Sequence, residues 1–151
     1  MTDPTPSKPA PPRRADFMHF TSIGTRWADN DVYGHVNNVV YYGFFDTAVN
    51  RWLIERGLLD LAGSTTVGLV VETQCTYFAS IAFPDPVQVG LRVDHLGTSS
   101  VRYALAVFRG DDDRAAALGR FVHVYVDRAS QRPVALPVPV REALASLRAP
   151  G

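Results

Sequence analysis

Cysteine is all but missing from this sequence: Cys75 stands alone. The chain can therefore close no internal disulfide and holds no cysteine-rich metal site. A reducing cytoplasm is the compartment that this usage leads us to expect. A surplus of one charge is missing too. Lys plus Arg and Asp plus Glu number 15 each, which removes the electrostatic reason to expect nucleic acid or an anionic membrane as the main partner. A local basic patch for a phosphorylated ligand stays compatible with that balance. No apolar run reaches the roughly 18 uninterrupted residues of a membrane-spanning helix. The N-terminus lacks the apolar stretch of a secretory signal. There is no internal repeat and no interior linker.

What is present points to one domain. Hydrophobic residues make up 46% of 151, enough for a sizeable core in a chain of single-domain length. The opening, "MTDPTPSKPAPPRRADF", places five prolines before Arg13. It reads as a disordered, partly polyproline tail over residues 1–16, followed by a single domain over 17–151.

Phe17 to about Ala28 reads as a first strand, with Phe20, Ile23 and Trp27 as its large apolar residues and Gly24 as a candidate bulge. From about Asn38 to Arg56 the period changes. Tyr41, Phe45, Val49, Trp52 and Leu53 recur at helical spacing, with Asp46, Asn50, Arg51 and Glu55 opposite. So apolar a helix is expected to be buried on most sides, and Gly57 is placed to stop it. Strand periodicity follows: a long irregular run over Val67–Ile81, then "VQVGLRVDHL", "VRYALAVF" and "ALGRFVHVYV". Turn chemistry separates them at "FPDP", "LGTSS" and "GDDDR". The acids Asp111 to Asp113 read as a solvated turn rather than a metal site. A short C-terminal helix is expected after "RPVALPVPV". One helix and a run of consecutive strands favour an α+β fold, an antiparallel sheet of about five strands wrapped around one long central helix, over a parallel doubly wound sheet.

One stretch does not fit a filler loop. "DNDVYGHVNN" puts two acids, a glycine, a histidine and two asparagines at the mouth of the most apolar segment. Together with its flanks, "TRWADNDVYGHVNNVVYYGFFDTA" resembles the signature of the hotdog-fold acyl-CoA thioesterases of the 4-hydroxybenzoyl-CoA thioesterase-like superfamily. The specific part is Arg26 to Asp46; in element order the likeness extends over Phe17 to Asp127.

The resemblance implies a helix wrapped by a curved sheet and subunits joined sheet to sheet. A homodimer, with tetramers built from two dimers, and active sites at the dimer interface follow from it. It implies hydrolysis of an acyl-CoA to free acid and CoA with no cofactor and no metal. Asp31 matches the catalytic acid, as general base or as nucleophile. The oxyanion donor falls on the backbone N–H of Asn38, at a helix N-terminus where N–H groups lack intrahelical partners. His35 either bonds near the thioester, orients the loop, or is a structural donor. Gly34 permits a sharp turn and close approach to the ligand. Asn37 is placed to cap the helix, and Tyr41 to line the acyl site. Ser99 and Ser100 correspond to a segment near the thioester and pantetheine arm. Asp29 is expected to brace the loop or pair with Arg26. His95 and His123 read as core or partner-bonded histidines, and Cys75 as a strand residue. The alternatives are a non-hydrolytic acyl-thioester binder or a hotdog enzyme acting on an acyl-carrier protein.

Overall fold

The computed structural model describes residues 9–149. In chain order these form β1 (His19–Gly24), α1 (Val40–Glu55), β2 (Thr66–Tyr77), β3 (Pro86–Leu96), β4 (Ser100–Arg109), β5 (Ala117–Asp127) and α2 (Val138–Ala145). The five strands make one antiparallel sheet in the order β1-β3-β4-β5-β2. The long helix packs against one face, so the expected hotdog architecture is the observed one.

Alternation decides which face carries the core. Val87, Val89, Leu91 and Val93 of β3, with Val101, Tyr103, Leu105 and Val107 of β4, point inward and are buried with the α1 residues Tyr41, Phe44, Phe45, Ala48, Val49, Trp52 and Leu53. A strand's period of two puts such residues on one side. Gly119 of β5 lets the helix sink onto the sheet. A Cβ there would lie 2.3 Å from the Phe45 ring. Past the last helical turn, Gly57 takes φ +70. Its N–H bonds Ile54 O and the Leu58 N–H bonds Leu53 O, a Schellman ending that satisfies two loose carbonyls. The exposed stripe of α1 contains Gly43, Asp46, Thr47, Arg51 and Ile54.

Several boundaries differ from the sequence reading, each for a local reason. The first strand ends at Gly24, not near Ala28. Asp29 captures the Arg26 backbone N–H at 2.7 Å and folds Trp27–Asp29 into a 3-10 turn, leaving Trp27 exposed. Gly24 pairs regularly with Pro86; the irregularities lie at Val70/Glu72 and Val93/His95. Strand β2 stops at Tyr77 rather than Ile81, because the Phe78 and Ala79 N–H groups converge on a single carbonyl, Ala116 O. Helix α1 begins at Val40 rather than Asn38, since Asn37 first closes a turn of its own.

The N-terminal boundary also moves. Residues 1–8 lie outside the described residues, but the tail expected through Asp16 is already docked at Pro12. Pro12 O accepts the Ala115 N–H and the Arg14 N–H reaches Asp113 O. The Arg14 guanidinium donates to Gln88, Gly110 O and Asp112 O and lies over the Phe108 ring at 4.8 Å. Phe17 then closes a second small core with Ala104, Ala106, Phe108 and Ala115 on the outer face of the sheet. Proline content carries no sign of these two anchors.

Candidate active site

The loop from Asp29 to Asn38 folds back on its own main chain. Asn30 and Val36 bridge, and the Asp31 N–H bonds His35 O at 2.9 Å. Within that hairpin the Gly34 N–H bonds Asp31 O at 3.0 Å, a four-residue turn. Gly34 follows with φ +82 in open space. A three-residue hairpin loop needs a left-handed residue at this place, and glycine takes it without strain. The turn aims the Asp31 side chain back over itself. Its Oδ1 accepts the Tyr33 N–H at 2.9 Å, and its Oδ2 has no partner among the described residues.

Asp29 does both things expected of it. Its carboxylate is 2% exposed and accepts from the Arg26 backbone and from Nε and Nη2 of the Arg26 guanidinium. That bond and charge raise the Arg26 pKa. Its carbonyl accepts the Asn37 N–H at 2.8 Å.

Asn37 organises the mouth of the helix. Its Oδ1 accepts the Val39 N–H at 3.0 Å and its carbonyl accepts the Val40 N–H at 2.9 Å. The Asn38 carbonyl takes the Tyr77 hydroxyl at 2.8 Å. Among the described residues, nothing takes the Asn38 N–H. The segment after β2 ties the same loop to the sheet: the Val36 N–H bonds Ile81 O at 2.7 Å and the Phe83 N–H bonds Asn30 Oδ1 at 3.0 Å.

A cleft of about 500 Å³ opens here, lined by Asp31, Tyr33, His35, Val36, Asn38, Tyr41, Tyr77, Phe78, Ala79 and Ser80. It gathers Asp31, His35, Asn38 and Tyr41, with Gly34 and Asn37 in the adjoining turns. Tyr41 meets Tyr77 edge to face at 5.0 Å. Burial pushes the Tyr41 phenol up to about 12 and, helped by Cys75, raises that of Tyr77 above its ordinary value. Both hydroxyls stay protonated through the working range. Burial also raises the Cys75 thiol, which disfavours the thiolate a nucleophile needs. The structure does not bring Ser99 and Ser100 here within one chain. Ser100 pairs with Val124, while Tyr77 pairs with Ala117. Seven residues of strand separate those positions, about 23 Å at roughly 3.3 Å each. Tyr77 and the Phe78–Ser80 wall also line the cleft; they fall in the irregular run Val67–Ile81, whose pattern marks no site residue.

Among the described residues no cluster of His, Cys, Asp and Glu could hold a metal ion. None of their helices is long and apolar enough to cross a membrane. Asp46 is exposed and receives its neighbour Asn50.

A long helix seated in a five-stranded antiparallel sheet, with a polar turn at the helix mouth, defines a hotdog protein. The chain belongs to the thioesterase-like superfamily, whose pattern it matches over residues 25–144. It is 57% identical to the PA5185 protein from Pseudomonas aeruginosa strain PAO1, with TM-score 0.90 over 92% of this chain and 97% of that one. It is 32% identical, TM-score 0.73, to a thioesterase from Thermus thermophilus complexed with coenzyme A and Zn, over 87% of this chain and 95% of that one. It is 21% identical over 88 residues to the Bacillus subtilis protein YsmA, a match spanning 58% of this chain and 59% of YsmA.

Proposed function

We propose that this protein is an acyl-CoA thioesterase, releasing free acid and CoA. One observation carries the reading: an unpartnered carboxylate oxygen, on Asp31, and an unpartnered backbone N–H, on Asn38, share one cleft. Thioester hydrolysis needs these two groups. As general base, Asp31 takes a proton from water as its oxygen attacks the thioester carbon. The carbonyl oxygen gains charge and is met by the Asn38 N–H. The C–S bond then breaks, and the thiolate recovers the proton. As nucleophile, the same carboxylate attacks the thioester carbon, the C–S bond breaks to release the CoA thiolate, and water cleaves the mixed anhydride that is left. His35 lies on the cleft wall, where it can bond the substrate carbonyl. Tyr41 lies against the acyl group.

The dimer belongs to the same proposal. Strand β2 is the edge of the sheet beyond β5, with exposed Leu69, Val70 and Val71. Such an edge is a ready template for a second strand. An antiparallel copy of β2 would carry its own Ser99–Ser100 end toward this chain's Tyr77 end, and so toward the cleft. That arrangement gives the two serines the pantetheine-side role that a single chain denies them. Tetramers would pair two such dimers.

The test is thiol release from a panel of acyl-CoAs of graded chain length together with aryl-CoAs. Turnover of at least one is expected. Tight binding without turnover, or turnover only of acyl-carrier-protein thioesters, would overturn the reading.

A further inference from the structure

We propose that Tyr77 is a positioning residue for this reaction: its hydroxyl holds the Asn38 carbonyl and thereby fixes the direction of the Asn38 N–H. The inference rests on the thioesterase reading and adds a residue to it. Two rigid peptide planes meet at the Asn38 Cα. The plane after it is clamped at both ends, its carbonyl by Tyr77 at 2.8 Å and its N–H, that of Val39, by Asn37 Oδ1 at 3.0 Å. The plane before it is held at its carbonyl by the Val40 N–H at 2.9 Å. Three of the four polar groups are therefore fixed, and the fourth is the N–H that opens on the cleft.

Tyr77 is the one member of this set that is remote in sequence. It stands 39 residues away in sequence, at the end of β2 in register with Ala117. Ala116 O receives both the Phe78 and Ala79 N–H groups directly behind it. The hydrogen bond thus references the donor to the hydrogen-bonded sheet. An oxyanion donor gains its effect from being aimed before the charge develops. Tilting a free N–H by a loose peptide plane weakens it in the transition state more than in the ground state, where the thioester oxygen is a poor acceptor. The raised phenol pKa keeps this proton in place at alkaline pH.

The experiment is Tyr77→Phe, which keeps the ring on Tyr41 and deletes the hydroxyl. Wild-type hydrolysis is established first with the fastest acyl-CoA of the panel; its absence would sink the thioesterase reading itself. In the variant we expect kcat to fall about tenfold, the scale of one lost hydrogen bond, with KM changed less than about twofold. The second readout uses the same acyl-CoA labelled with carbon-13 at the carbonyl and bound to Asp31→Asn protein, which holds it intact. There the carbonyl stretch, lowered by the donor, should move back toward its solution frequency when Tyr77→Phe is added. Unchanged kcat, an equal rise in KM, or an unmoved carbonyl band would each overturn the assignment, whatever happens to thermal stability.

Discussion

Two tyrosines on the inner side of the sheet show how differently the two ends of the molecule treat a polar group. Tyr77 closes the cleft end. Its phenol has an acceptor at 2.8 Å, and the loop it holds leaves one carboxylate oxygen and one N–H free. Tyr103 lies fully buried in the core between α1 and the sheet. Its hydroxyl is buried with no partner among the described residues, as are Trp52 Nε1 and both ring nitrogens of His123. Tyr103 and His123 meet edge to face at 5.4 Å. From Ala117, level with Tyr77, to His123 is six residues, about 20 Å of strand. Both regions contain loose polar groups, but only at the cleft can a substrate reach them. The same feature is chemistry at one end and a stability cost of roughly 1–3 kcal/mol per group at the other.

The largest effect that would break this contrast is at Asp31. Asp31→Asn keeps the shape of the turn and its Tyr33 bond, yet removes the charge that a base or nucleophile needs. We expect kcat to fall about 10²–10⁴-fold, with substrate binding and oligomeric state kept. Near-wild-type turnover on the best substrate would make the cleft end structural after all.

The sealed end should answer to pH instead. Burial lowers the His123 pKa to about 4 from an ordinary 6.5. Above pH 6.5 the ring is neutral folded and unfolded, and its neutral state costs nothing further. Between 6.5 and 4 the unfolded chain binds a proton that the folded chain refuses, so stability falls as pH falls; below 4 both states are protonated and the loss levels off. At about 1.4 kcal/mol per pH unit the loss approaches roughly 3 kcal/mol. Chemical denaturation across that window should show this slope, and His123→Phe should flatten it while leaving kcat at neutral pH alone. An unchanged slope would mean that other groups carry the acid response.

How much of this contrast was legible beforehand depends on sequence distance. The inward residues of β3 and β4 follow from a two-residue period, and α1 from its own. Within the loop, Asp31, Gly34 and Asn37 interact two or three residues away, and their spacing already reads as turn chemistry, although Asn37 closes a turn ahead of α1 and the residue at the helix cap is Val39, which has no side-chain cap bond. The pairing of Asp29 with Arg26 was visible for the same reason. The bond from Tyr77 to Asn38 was not, because strand order alone brings those residues together. Nor was the docking of Arg14 and Phe17, which depends on Phe108 being outward in a strand far along the chain. His95 and His123 looked alike in the sequence. The bulge at Val93/His95 leaves the first exposed, and normal alternation buries the second without a partner.

A smaller effect separates stability from chemistry inside the loop. Asp29→Asn deletes a carboxylate two residues from Asp31 but loosens the clasp on Arg26. The melting temperature should drop while kcat stays within about tenfold of wild type, since positioned acid–base groups are worth far more than that. A loss equal to that of Asp31→Asn would mean that the whole loop, rather than one carboxylate, is being read.

The smallest effect is the sharpest complement to the cleft. Tyr103→Phe deletes one phenol hydroxyl, the same chemical change as at Tyr77. Here the hydroxyl has no acceptor, and burial raises its pKa far above the ordinary value. Removing a buried donor that bonds nothing spares its desolvation cost, and the ring that packs against His123 remains. The unfolding free energy should therefore hold or rise by up to about 1 kcal/mol, and kcat should not move. If Tyr103→Phe instead destabilises by more than about 1 kcal/mol, its hydroxyl makes a bond in solution that the folded chain alone does not supply, and the sealed end is less dry than its packing implies. If it lowers kcat as Tyr77→Phe does, the two regions are coupled through the helix, and the division between a chemical end and a structural end fails.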